Sequence, residues 1–201
     1  MCGRYLIEDD SYSEVWSIYN MPGEAKTITG REIFPTNIAP VLTHEGATAV
    51  KWGFPHWKNS GVIINARAET AFDKNMFRKP LMEQRCVVPS NGFFEWDRIS
   101  GGKKKDKYLL RLPGEDALYM AGVMNTFRDA AGSEYFAFVI LTTVANDSVA
   151  PIHDRMPVIL GQNERDSWIG DAGFMEYALR RPGPELSLNQ TSPTSSAITA
   201  I

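Results

Sequence analysis

Cys2 offers the most chemistry in this chain, because it stands second, between Met1 and Gly3, in the opening MCGRYL. Removal of Met1, common before a small residue, leaves an α-amine with a pKa of about 8 beside a thiol of about 8.5. Both nucleophiles are then partly available at neutral pH. A 1,2-aminothiol captures an aldehyde as an imine and closes a five-membered thiazolidine through sulfur; it also serves as an N-terminal nucleophile toward an acyl group. The alternative is a chance second codon, with Cys2 packed as a small hydrophobe. Gly3 permits close approach of the backbone to a ligand, and Arg4 suits a phosphate or carboxylate. The other cysteine, Cys86, lies in the apolar run RCVVPS and reads as structural.

Three more segments carry reactive side chains. VIINARAET at 62–70 delivers Asn65, Arg67 and Glu69 in strand alternation, hence on one side. That side is either a solvent face, the commoner case, or a pocket wall. In CVVPSNGFFEWDR at 86–98 a Pro-Ser-Asn-Gly turn leads to Glu95 between aromatics, a setting that raises a carboxyl pKa and suits it to trade protons near neutrality. The competing reading puts Glu95 on the exposed face of an edge strand. In ILTTVANDSVAPIHDRMPVIL at 140–160, His153 follows a short helical stretch and precedes Asp154, Arg155 and an MPVIL strand. A lone histidine is usually structural, but this loop can present an imidazole and a guanidinium together. No metal or cofactor is expected: His44, His56 and His153 are dispersed, and neither CxxC nor HxxxH spacing occurs.

Short strands must position these groups. Strands are predicted at 47–54, 62–66, 85–88, 93–97, 107–112, 117–123 and 134–142, rich in β-branched and aromatic residues. A Ser cap signal and apolar spacing predict a helix over 11–20, and QNERDSWIG and DAGFMEYAL predict two more. GGKKKDK reads as a hairpin tip, more a solubilising turn than a nucleic-acid contact. From residue 182 the text turns poor in charge and rich in Ser and Thr, so one domain is expected over 1–181 with a loosely attached tail at 182–201.

Composition bounds the function. A chain of 201 residues, 43% hydrophobic and 22% charged, suits one soluble globular domain. The apolar run YFAFVIL is far shorter than the roughly 20 residues of a membrane-spanning helix. Glu8, Asp9 and Asp10 follow the start at once, unlike a secretory leader, which points to the cytoplasm and reduced thiols. A net charge of −3 gives no long-range pull on phosphate, so any nucleic acid has to be met by one face.

MCGRY, NARAET, GFFEW and IHDRMP, in this order, resemble the SOS-response-associated peptidase family, the abasic-site processing proteins. FPTNIAPV at 34–41, KWGFPHW at 51–57 and AGVMNTF at 121–127 fit as well, so the resemblance covers residues 1–160. It implies an α+β fold, a single compact domain around a bent, barrel-like, mostly antiparallel sheet with a few flanking helices. It also implies a monomeric sensor of abasic sites in single-stranded DNA that crosslinks covalently through Cys2, with weak lyase activity and self-removal of Met1 as further activities. Cys2, Asn65, Glu95 and His153 fall on the family's active-site positions. Arg4, Arg67 and Arg155 are implied to clamp phosphates, Trp57, Trp96 and Pro40 to stack on or wedge against bases, and Asn37 and Thr143 to contact DNA. The Ser/Thr-rich ending departs from the family's pattern, and KWGFPHW is shorter than usual. Two other classes remain open from the residues: an N-terminal-cysteine amidohydrolase that needs no DNA, and a noncovalent nucleic-acid module that tolerates loss of Cys2.

Overall fold

The computed structural model describes residues 2–8, 31–56, 58, 60–99 and 105–191. The helix expected at 11–20, the tip of GGKKKDK and Trp57 lie outside these residues.

Five strands close into a barrel: β3 (Ile38–Thr43), β4 (Gly46–Trp52), β8 (Arg85–Ser90), β11 (Leu118–Arg128) and β12 (Glu134–Val144). Around the ring each pairs antiparallel with the next, except β12 with β4, which run parallel. One edge of β12 is shared by three short partners. β4 takes residues 137–138, β7 (Asn65–Arg67) takes 140–142 in parallel, and β13 (Arg155–Pro157) takes 142–144 antiparallel. β14 (Ile159–Leu160) adds to β11, and β5 (Phe54–Pro55) pairs with β6 (Val62–Ile63). All six residues of β8 are buried, which is why RCVVPS reads as a continuous run and not as alternation.

A second, wholly antiparallel sheet has the order β15 (Ser187–Thr191), β10 (Lys107–Arg111), β9 (Gly92–Trp96), β1 (Tyr5–Ile7), β2 (Arg31–Ile33). The two sheets meet at Trp52. Its ring stacks on Phe138 of the barrel at 6.2 Å, takes the edge of Tyr5 from β1 at 5.1 Å, and its Nε1 donates to Ile64 O at 3.0 Å. The Asn91–Gly92 corner carries the chain from one sheet to the other. Buried Asn91 accepts from Glu8 N and donates to Asp116 O, while a Cβ on Gly92 would stand 2.6 Å from Leu110 O, so only glycine lets β9 approach β10.

Helices Arg165–Gly170 and Ala172–Arg180 appear where their sequences predict them. Helix Asn75–Glu83 is new: Pro80 reads as a breaker, yet the helix runs through it with Phe77, Pro80 and Leu81 buried. Arg85 ties two helix ends to the barrel, donating to Leu81 O at 2.9 Å and to Trp168 O at 2.5 Å. The expected tail boundary is corrected. Residues 187–191 pair along the whole of β10, because SLNQT supplies backbone partners and a half-buried face, so the ordered fold extends past 181.

Candidate active site at the seam of the two sheets

The start of the chain is delivered by β1, an inner strand held by β2 on one side and β9 on the other. The register Tyr5↔Phe93 continues backwards through Phe94 N donating to Arg4 O at 2.8 Å, which brings Cys2 alongside the end of β9, where Glu95 sits. Glu95 is 2% exposed, because β9 is an interior strand covered by β10; the edge-strand alternative is thereby excluded.

From the barrel side, Asn65 reaches across the seam and its Nδ2 donates to Cys2 O at 2.9 Å. Its Oδ1 is buried without a hydrogen-bond partner among the described residues. The expected alternation holds only to Arg67, which is exposed; the chain then turns through a 3-10 segment at Ala68–Thr70, which takes Glu69 off the strand. Asn65 is therefore pocket wall and Arg67 solvent face, so both readings of this stretch apply, to different residues.

His153 lies in the turn after β12, 2% exposed, with Nε2 4.0 Å from Glu95 Oε2. Arg155 N donates to His153 Nδ1 at 2.9 Å. That leaves the ring proton on Nε2, facing Glu95. Asp154 Oδ1 also lies 2.9 Å from Nδ1, but its side chain is 82% exposed and turns to water, whereas the Arg155 amide is fixed in the backbone. The four expected catalytic residues thus come from four separated segments to one place.

Burial governs their protonation. Desolvation, reinforced by the Glu95 charge, pushes the Cys2 thiol far above its ordinary range, so it rests as a thiol; its Sγ points at Arg4 O, 3.7 Å away. Desolvation also raises the Glu95 carboxyl and lowers His153 to about 4. At neutral pH the imidazole is therefore neutral, and it stands beside a carboxyl whose charged form burial disfavours.

The expected DNA contacts divide. Arg4 is half-buried, its Nη1 3.0 Å from Glu32 Oε2 and its guanidinium between Phe34 and half-buried Trp96. Asn37 is exposed on a turn, where its Oδ1 accepts from Phe34 N. Pro40 is corrected: it is buried in β3 between β4 and β8, which leaves no ring face for a base. Arg155 is corrected in part. It is 8% exposed and holds Glu69 through both terminal nitrogens, at 2.7 and 2.8 Å, as well as Thr142 O, so a phosphate there competes with a carboxylate already in place. Thr143 lines a groove of about 630 Å3 with Glu69, Asn146 and Arg180. Glu32, which organises Arg4, escapes sequence reasoning, since its segment carries no motif. Among the described residues no cluster of His, Cys, Asp or Glu could hold a metal ion, and no helix is long and apolar enough to cross a membrane.

The chain is similar to several known proteins. The abasic site processing protein YoqW of Bacillus subtilis (strain 168) is 31% identical over 180 residues, 84% of this chain and 80% of that protein. The abasic site processing protein HMCES of Rattus norvegicus is 27% identical over 181 residues, 72% of this chain and 51% of that protein. A crystal structure of a protein from Bacteroides thetaiotaomicron superposes with a TM-score of 0.81 at 25% identity, covering 95% of this chain and 92% of that one. Residues 1–191 match the model of the SOS response associated peptidase (SRAP) family, and the chain belongs to that family.

Proposed function

We propose that this protein, once Met1 is removed, traps abasic sites in single-stranded DNA as a thiazolidine on Cys2. The observation that carries the reading is the meeting of Cys2, Asn65, Glu95 and His153 at the seam. The names of the relatives support the substrate class.

An abasic deoxyribose is mostly a closed hemiacetal, so protons must move before C1′ becomes an aldehyde. Glu95 in its protonated form gives its proton to the ring oxygen, and the resulting carboxylate, faced by the Nε2–H of neutral His153, takes the hydroxyl proton back. The Cys2 amine, held by the Asn65 Oδ1 acceptor, then adds to C1′, and the oxygen takes a proton from Glu95 and leaves as water, giving an iminium. The thiol adds to the same carbon: a C–S bond forms, the C=N bond becomes C–N, and the thiol proton passes to the Glu95–His153 pair. The high thiol pKa makes that acceptor necessary, because little thiolate exists beforehand. Sulfur capture closes off β-elimination, so strand cleavage stays weak. Arg67, exposed beside Asn65, is the phosphate contact that needs no rearrangement.

The test uses Met1-trimmed protein and a single-stranded oligonucleotide carrying one abasic site, separated on a denaturing gel beside Cys2→Ala. A shifted band that needs both Cys2 and the lesion is the expected result. No band, with Met1 removal verified by mass, overturns the reading and brings the amidohydrolase alternative forward.

A further inference from the structure

The turn that follows β2 displays an aromatic ring on a rigid mount. Asn37 N donates to Phe34 O at 3.0 Å, Asn37 Oδ1 accepts from Phe34 N, Thr36 N donates to Trp52 O at 2.8 Å, and Trp52 N returns to Asn37 O at 2.8 Å. Thr36 sits at φ +73°, a left-handed conformation that a β-branched residue adopts only under constraint. The result is Phe34, 39% exposed, and Ile38, 57% exposed, two large apolar side chains left at the surface.

Phe34 is the outer layer of an alternating stack. The Arg4 guanidinium lies 4.1 Å from its ring centre and 5.0 Å from that of Trp96; Lys107 Nζ follows, 5.8 Å from Trp96 and 3.8 Å from Phe94. Glu32 bridges the two cations, one carboxylate oxygen to each. One carboxylate against two cations leaves the patch net positive. Arg4 also accepts the Cys2 thiol on its carbonyl, so the stack begins two residues from the reactive group.

We infer that Phe34 is a stacking platform for one unstacked nucleobase of single-stranded DNA next to the lesion, a role the expected contacts gave to the buried Pro40. This deepens the function proposed above and rests on it for the identity of the strand. An exposed ring beside cations in net excess suits a base joined to its phosphates.

The test measures noncovalent binding of the full chain to a single-stranded oligonucleotide with one tetrahydrofuran abasic analogue, which has no aldehyde and forms no imine. Phe34→Ala is expected to weaken binding about tenfold, the equivalent of about 1.4 kcal/mol, and Phe34→Trp to restore it. A second oligonucleotide, with the bases flanking the analogue also removed, should bind wild type and Phe34→Ala equally. Equal affinity of wild type and Phe34→Ala for the first oligonucleotide overturns the platform, as does an undiminished tenfold gap on the second. Wild type that crosslinks aldehyde-bearing abasic DNA while its analogue binding ignores Phe34 overturns the platform alone. Phe34-dependent binding without any crosslinking supports the platform and sinks only the crosslinking reading.

Discussion

Cys2 and Cys86 look alike by every measure of burial: both are free thiols, 0% exposed, and desolvation pushes both far above the ordinary thiol range. Their surroundings separate them. Around Cys86 are β8 and β11 backbone and apolar side chains, with its Sγ packed against Gly122 so closely that a Cβ there would stand 2.9 Å away. Around Cys2 are a carboxyl whose charge it feels, an amide on its own carbonyl and an imidazole across from that carboxyl. A buried thiol becomes a candidate nucleophile through neighbours that can take its proton; Cys86 has the Tyr5 phenol within electrostatic reach but no carboxylate or imidazole among the described residues, and inertness follows.

The contrast breaks most sharply with substitution at the two cysteines. Cys2→Ala is expected to abolish the crosslinked band while leaving the fold intact. Cys86→Ser should instead keep the band at saturating DNA and lose about 1–3 kcal/mol in a denaturant titration, because a hydroxyl enters a pocket built for sulfur. A Cys86→Ser protein that folds normally yet cannot crosslink would end the distinction.

Next in size is Glu95→Gln, which removes the proton carrier and keeps the shape. Single-turnover crosslinking is expected to slow by about 10²–10⁴-fold. Stability should move the other way. The folded pKa of Glu95 is raised above its ordinary 4.5, so the wild type loses stability as pH climbs from there through the folded value. Glu95→Gln should therefore melt higher than wild type at pH 8, the gap closing below pH 4.5. A variant that is both slow and less stable at pH 8 would mean that Glu95 serves the fold.

The smallest effect belongs to His153. Its pKa falls from 6.5 to about 4, so the unfolded chain takes up a proton first and stability drains away as pH drops across that interval. In His153→Gln this share of the acid dependence should vanish from a melting series between pH 7 and 4. Persistence of the full slope would mean that other groups carry it.

Much of this site was legible because its signals are local. Glu95 between aromatics on an apolar strand already implied desolvation, and alternation in NARAET pointed Asn65 and Arg67 to one side. The dominance of strands was legible in the spaced β-branched runs, whereas the barrel-like antiparallel architecture came from the family resemblance alone. The single parallel closure by β4 and β12 was not visible, since nothing in either strand encodes its partner's direction. Arg155 shows the same limit: the family resemblance implied a phosphate clamp, while Glu69, 86 positions away, settles its pairing in this fold. Pro40, expected to meet a base, is buried in β3, and Pro80 is buried inside a helix that lies outside the predicted elements, so tertiary burial decides both positions.

The order of strands in the second sheet has a temporal consequence. β1 is complete when residue 7 has been made, yet its partner β9 spans Gly92–Trp96. During synthesis the first residues wait for roughly ninety more before the groove that seals Cys2 exists, a delay of about 5–20 seconds at ordinary elongation rates. On the proposed reading, that interval is when an aminopeptidase has the open chain to act on. A chain that folds untrimmed has Cys2 already buried, and on the same reading it depends on self-removal of Met1 to free the amine.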